Sequence, residues 1–429
     1  MRNPTILSPR IMLLSTRLLF SLSLLYPIAS AFPVDTNVES STSPDICGPA
    51  DWKTIILFYL LNYGAHAFTV VNLPGETTGQ KIYWSILALL LPYSGIGKAC
   101  QTISRGLLSP ANPLKRALYA GALCEVISNR LVHFPDTFEL REKKIHGRVL
   151  KPDGYAFRVI TGQIEFEKYQ AKQGGEQATN HLASNYDILK TVIAIIQLVF
   201  ACLTLYRSKG NQLEIYGYAA FGLTVAQYAV MSFVNLLANL VTPHYPTVYM
   251  VRTEMMAKAE SQGGKFDGVV AEIHGQPDAN PKIIARGMKI LMILIAVLAV
   301  AAPYCIIASM TRFNPANSTK AQRGWTMSWI VVSQMFGFFY GWMGAVTFTQ
   351  LNSKWFIALT CPAVPLYWLI LKAIGCCVGW SSKASWFGLR SMFGLRSFTT
   401  LVMAAPMIGA FVVVGQMLAA HGSCSAVAI

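Results

Sequence analysis

Residues 290–310 read ILMILIAVLAVAAPYCIIASM, a run that leaves Lys289 and carries no charged side chain. About twenty apolar residues is the length a helix needs to cross a hydrocarbon core. A helix on the surface of a soluble protein keeps a polar face at 3.6-residue spacing, and this stretch keeps none. The run therefore predicts a helix surrounded by acyl chains, and it decides the class of the whole chain.

Composition agrees. The chain has 429 residues, of which 53% are hydrophobic and 13% charged. A soluble domain carries about 25% charged residues. The net charge is +15, from 35 Lys+Arg against 20 Asp+Glu. The basic excess lies in connecting segments beside apolar runs, so it points to anionic headgroups and cytoplasmic loops, not to nucleic acid. The expected partners are the lipid bilayer and, at the basic loops, anionic lipids or cytosolic proteins. Oligomeric state does not follow from the sequence.

The expected fold is all-α, a polytopic transmembrane helix bundle of about seven to eight spans with two basic extramembrane segments. Residues 1–31 read as a signal peptide or N-terminal anchor: Arg2, Arg10 and Arg17 precede a short apolar core, and Ala29-Ser30-Ala31 has the small-x-small pattern. A polar flank covers 32–52. Transmembrane helices 1–2 fall in 53–100, as runs 53–73 and 82–99. The segment 101–186 carries 12 Lys+Arg against 8 Asp+Glu, and its FRVITGQIEFEKY suggests a strand or two. Helices 3–4 fall in 187–241 (187–206 and 215–241). The second extramembrane segment is 242–289, where 248–262 begins as a short helix stopped by Gly263-Gly264. Helices 5–8 fall in 290–420 (290–310, 325–348, 355–378 and 398–420), and 421–429 is a tail. Neither extramembrane segment is apolar enough for a large core of its own, so both are expected to pack on the bundle end or on each other. The repeated Phe387-Gly388-Leu389-Arg390-Ser391 and Phe393-Gly394-Leu395-Arg396-Ser397 suits an interfacial linker.

Counting these spans from a lumenal flank places 101–186 outside, against the tendency of Lys and Arg to stay in the cytosol. The sequon Asn317-Ser318-Thr319, the candidate glycosylation site, would then be cytosolic. Two repairs restore the basic segments to the inside. Either 117–127 dips into or crosses the membrane, or the flank 32–52 is cytosolic.

Polar residues within the runs mark helix faces that turn inward. Asn62 and His66 are four apart and share a face, which Thr69 extends. Asn235 and Asn239 form a similar pair, with Gln227 two turns earlier; Gln197 and Gln334 are single amides. The candidate intramembrane polar site is therefore Asn62, His66, Asn235 and Asn239, which either lines a path or joins the helices by hydrogen bonds. Gly337-x-x-x-Gly341 permits close backbone approach. Cys376 and Cys377 are candidates for palmitoylation. Cys47 and Cys424, in the two polar flanks, are a candidate disulfide if both flanks are lumenal. No HExxH, GxSxG or P-loop occurs, and the nine cysteines form no CxxC pair. No catalytic residue, metal site or cofactor is expected.

The run Asn62-Tyr63-Gly64-Ala65-His66-Ala67 closed by Pro74-Gly75 resembles a group of filamentous-fungal integral membrane proteins of unknown function. So do Ala120-Gly121-Ala122-Leu123-Cys124, Tyr245-Pro246-Thr247 and Phe266-Asp267-Gly268. The resemblance implies a membrane-embedded fold, with His66 and the Phe266-Asp267-Gly268 turn as features of the group, and it implies no catalytic residue. The expected function is a multi-pass integral membrane protein of the secretory pathway or plasma membrane. It acts either as a transporter or channel-like protein, or as a receptor or scaffold whose basic loops bind partners or anionic lipid.

Overall fold

The computed structural model describes residues 46–128, 143–160, 166–167, 182–209, 211–273, 282–337 and 405–425. The expected signal at 1–31, the run 355–378, the later part of 325–348, Cys376 with Cys377, and the repeat at 387–397 lie outside the described residues.

A short strand, β1 (Ile46–Gly48), leads to Asp51, whose side chain accepts from Thr54 N–H and starts the first helix. This helix, α1, is α-helical over Trp52–Tyr59, widens to a π-helical turn over Leu60–Gly64, and closes with Ala65–Ala67. The chain then turns at Gly75, which has a positive φ of 70°. A Cβ there would lie 2.9 Å from the Lys144 carbonyl oxygen, so only glycine fits this corner.

The stretch expected as the second span is not one helix. It is a pair, α2 (Thr78–Leu90) and α3 (Pro92–Leu108), broken at Leu91. Thr77 and Gln80 form a capping box for α2, and Pro92 occupies the first turn of α3, where its missing N–H costs nothing. The break packs on Trp329, whose indole N–H donates to the Leu90 carbonyl at 3.2 Å. Gly337 sits against it so closely that a Cβ would lie 2.9 Å from Ser94 N. Both open ends of the pair reach the same end of the molecule. Gly75, before α2, accepts from Lys144 N–H, and Gly106, near the end of α3, lies against Thr242. The cause is Lys98. Its ammonium, 1% exposed, meets Glu76 at 2.8 Å and lies 4.6 Å over the Trp84 ring. A lysine in the interior needs such a partner, and Glu76 stands just before α2, so the pair ties α3 back against the corner where α2 begins.

Next come α4 (Pro113–Ala120) and β2 (Leu123–Ser128), then β3 (Val149–Leu150), β4 (Tyr155–Val159) and β5 (Phe166–Glu167). The long helix α5 (Ile188–Arg207) leads to α6 (Asn211–Tyr216), two 3-10 turns (Gly217–Ala219, Phe221–Val225) and α7 (Ala226–Val241). Then β6 (Tyr249–Arg252), α8 (Glu254–Ser261), β7 (Lys265–Phe266) and β8 (Val269–Ile273) precede α9 (Lys282–Thr311). The chain continues through α10 (Lys320–Val332), which runs into a π-helical turn over Ser333–Gly337. A last helix, α11, occupies 405–421, and β9 (Ser423–Ser425) follows it.

The described residues are mostly helical, and three helices are long and apolar enough to cross a membrane: Ile188–Arg207, Phe221–Val241 and Ile290–Thr311. The expected seven to eight spans are not supported. The π turn and Ala67 end α1 early, Lys98 folds the second run back on itself, and much of the C-terminal third lies outside the described residues. Polarity is arranged inside out. The innermost helix is α3, buried from Pro92 to Gly106 although it carries Lys98, Gln101 and Arg105. The outer helices expose apolar side chains: Ile188, Leu189 and Ile196 on α5, Leu294, Val297 and Leu298 on α9, and Ile56, Leu57 and Leu60 on α1.

An all-α fold is also corrected. The two basic segments together build a five-stranded mixed sheet in the order β4-β2-β6-β8-β5. Its three central strands run parallel, and both edge strands pair antiparallel. Side chains alternate: Leu123 and Tyr249 pack with Leu118 of α4 on one face, while Cys124 and Met250 pack with Met256 of α8 on the other. Parallel strands need both faces covered, and neither segment supplies three central strands alone. Alternating polar and apolar residues in short strands are easily lost in a basic segment, which is why the sheet was not expected. The Ala117-to-Ile127 stretch is α4 and β2 within this layer, not a further crossing.

Replacing Lys98 with Met should leave the Glu76 carboxylate buried without its cation and cost about 3–5 kcal/mol. Glu76→Gln together with Lys98→Met should recover most of that loss, because the Gln side chain can still accept from Leu73 N–H. Thermal midpoints of the detergent-purified variants check both; a double variant no better than Lys98→Met would refute the assignment.

Candidate functional site: a buried polar seam and its cleft

One face of α7 is polar along its length. Tyr228, Ser232, Asn235 and Asn239 follow at helical spacing, and Thr242 continues the line past the helix end. The facing side of α1 and the turn after it present Tyr63, His66 and Thr69. All six residues from Tyr63 to Asn235 in this seam are fully buried.

The contacts run in order. Tyr63 Oη lies 2.6 Å from Thr224 Oγ1. His66 Nδ1 lies 2.7 Å from Ser232 Oγ, and the imidazole stacks obliquely on Tyr228 with ring centres 5.9 Å apart. Thr69 Oγ1 donates to the His66 carbonyl at 2.8 Å and accepts from Asn235 Nδ2 at 3.3 Å. The structure thus brings His66 and Asn235 together through Thr69 and Ser232.

Asn62 belongs elsewhere. It sits in the π-helical turn, donates to the Phe58 carbonyl at 3.0 Å, and accepts from Thr204 of α5 at 2.7 Å. It ties α1 to α5. Gln334 likewise serves packing: it donates to Tyr93 Oη and the Val300 carbonyl and accepts from Tyr304.

Several buried atoms of the seam find no hydrogen-bond partner within the protein: His66 Nε2, Asn235 Oδ1 and Asn239 Nδ2. Both amide atoms of Gln227 on α7 and Gln197 Oε1 on α5 are others elsewhere in the bundle. Each such atom costs about 1–3 kcal/mol relative to a satisfied one. Interiors rarely hold so many in one line, which makes this seam a place where a small hydrogen-bonding molecule gains what the protein lacks.

The seam leads to a cleft at the junction of bundle and sheet. Asn239 and Thr242 line it, with Asn72, Thr102, Arg105, Asp187 and His244. Burial, then the neighbouring Lys81 ammonium, holds the His244 imidazole below its ordinary value of 6.5; Asp187 and Glu76 oppose the shift and Lys190 adds to it. Among the described residues, no group of three His, Cys, Asp or Glu side chains is placed to hold a metal ion. Burial raises the Cys124 thiol well above its ordinary value, so it is not a reactive thiolate.

Ser232, Thr204, Tyr63 and the Lys98–Glu76 pair are residues that sequence reading passed over. Serine and tyrosine are unremarkable inside apolar runs; only their spacing from Asn235 (three back to Ser232, seven to Tyr228) placed them on its face. Comparison with protein-family models, with curated proteins and with solved structures finds no match.

A histidine held below its ordinary pKa contributes stability that is complete above about pH 6.5 and is lost as the pH falls from there through its lower folded value. The thermal midpoint should therefore decline below that pH, and His244→Gln should shallow the decline. An identical decline in the variant would place the acid sensitivity on other groups.

Proposed function

We propose that the chain is a multi-pass integral membrane protein, transporter or channel-like, whose seam passes a small uncharged polar solute. The observation that carries this reading is the row of buried polar side chains from His66 to Asn239, several of whose atoms find no partner within the protein, with Asn239 also lining the cleft. Membrane placement is supported by the three long apolar helices and the exposed apolar faces of the outer ones, which acyl chains solvate better than water. An uncharged solute is favoured because hydroxyls, amides and one imidazole line the seam, while charge is confined to Arg105 and Asp187 at the cleft. The broken pair α2–α3 adds support, since interrupted helices inside a membrane occur where they are buried in protein or line a cavity.

The purified protein reconstituted into liposomes should raise permeability to at least one of water, urea and glycerol over empty liposomes. His66→Ala and Asn235→Leu should lower it several-fold at unchanged amounts of folded protein. Loss of folded protein in parallel with flux would assign the seam to packing, and wild-type permeability equal to that of empty liposomes would end the proposal.

The folded sheet favours a second reading, a receptor or scaffold whose basic surface meets anionic lipid or a cytosolic partner. Arg158 and Arg252 are engaged by Glu125 and Glu260 at 2.6 and 2.8 Å, so on this reading other Lys and Arg side chains of the two segments make the contact. This reading requires that anionic lipid stabilise the intact protein at low salt and lose that effect at high salt; salt-independent behaviour would exclude it.

A further inference from the structure

Two segments at opposite ends of the sequence meet at the end of the bundle away from the sheet. There β1 and β9 pair antiparallel, with Ile46 opposite Ser425, Cys47 opposite Cys424 and Gly48 opposite Ser423. Directly opposed residues of such a pair have Cα atoms about 4.5 or 5.5 Å apart and side chains on one face. Both separations fall inside the range of about 4.4–6.8 Å that a disulfide requires. Among the described residues, the ladder is three residues long and belongs to no larger sheet. An isolated two-stranded ribbon is marginal by itself, so a link at its centre is what this pairing lacks.

We infer that Cys47 and Cys424 form a disulfide that joins the two ends of the chain in an oxidising compartment. This inference rests on the membrane placement proposed above. The surroundings of the ribbon support it. Tyr216 Oη lies 2.9 Å from His421 Nδ1, just before β9, and the neighbouring Ile215 carbonyl accepts from Asn317 N–H at 3.1 Å. Asn317 is exposed, in the loop before α10. The sequon therefore shares an end of the bundle with the two cysteines. The α5 helix, 20 residues and so about 30 Å long, starts beside the Asn185–His244 bridge at the sheet and ends next to Gly222 at the other end. The basic sheet thus lies at the opposite end from Cys47, Cys424 and Asn317. Because α2 and α3 return to the sheet end, the chain crosses once, not twice, between the N-terminal flank and the segment 101–186. A lumenal flank and cytosolic basic segments are then compatible, with neither a further crossing nor a cytosolic flank.

Formation of the bond removes two electrons and two protons from the two thiols. A disulfide-bearing thiol oxidoreductase of the secretory lumen accepts them by exchange, and its own disulfide becomes two thiols. Disulfides persist in that compartment and are rare in the cytosol.

The test uses the full chain in isolated membranes, dissolved in denaturant with N-ethylmaleimide and no reductant, then digested and mapped. The peptides holding Cys47 and Cys424 should appear as one cross-linked pair, unlabelled until dithiothreitol is added. In Cys47→Ser, Cys424 should become labelled without reductant. Labelling of both cysteines in the unreduced wild type would overturn the inference, as would Cys424 remaining blocked in Cys47→Ser. Carbonate extraction of the same membranes reads the placement separately. Neither measurement depends on whether the seam conducts a solute.

Discussion

The enclosed ion pair of Lys98 with Glu76 is the interaction around which the bundle is arranged. A lysine in a packed interior loses its solvation and is tolerated only where a partner charge offsets that loss, and here the partner stands at the corner before α2. Meeting it bends the chain into the α2–α3 pair and places α3, the least apolar of the long helices, at the centre. The apolar helices α5 and α9 then form the outside. Trp329 seals the break by bonding the Leu90 carbonyl, and Gly337 lets the π-helical turn after α10 lie directly on it. The corner itself depends on Gly75, where a side chain would collide with Lys144 and Val248.

The sheet gives the two basic segments one body. Of its three central strands, β2 comes from the segment before α5 and β6 and β8 from the segment after α7, so neither segment can complete the sheet alone. The crossover from β2 to β6 passes through the bundle, by way of α5 and α7. Movement of α7 relative to α1 would therefore be felt in the sheet, and the cleft lies where the two bodies join.

Within the seam, hydrogen bonding is complete in some places and open in others. Thr69 and Ser232 serve His66 and Asn235 on one side each, while the remaining donor or acceptor of each stays unmatched. A purely structural network would be expected to close on itself, as the Tyr93–Gln334–Tyr304 group does a short distance away. The contrast between this closed group and the seam, inside one bundle, is what the proposed path rests on.

Sequence alone determined that the chain is mostly helical with helices apolar enough to cross a membrane, α5 and α9 among them, and that Asn235 and Asn239 share a helix face. Each rests on local periodicity or on charge, which a single segment displays without reference to any other. It also placed strands near Tyr155–Val159, because alternation is local too. What only the tertiary structure decided was which faces meet. The fold-back at Leu91 depends on a contact between Lys98 and Glu76, 22 positions apart, and the sheet on pairings between segments more than a hundred residues apart. Asn62 left the proposed site because the π-helical turn rotates it toward Thr204, a shift no spacing rule contains. Opposing Cys47 and Cys424 required both ends of the chain to reach the same end of the bundle. Such choices are made by long-range packing and by the pairing of buried charge, and neither leaves a periodic mark in the sequence.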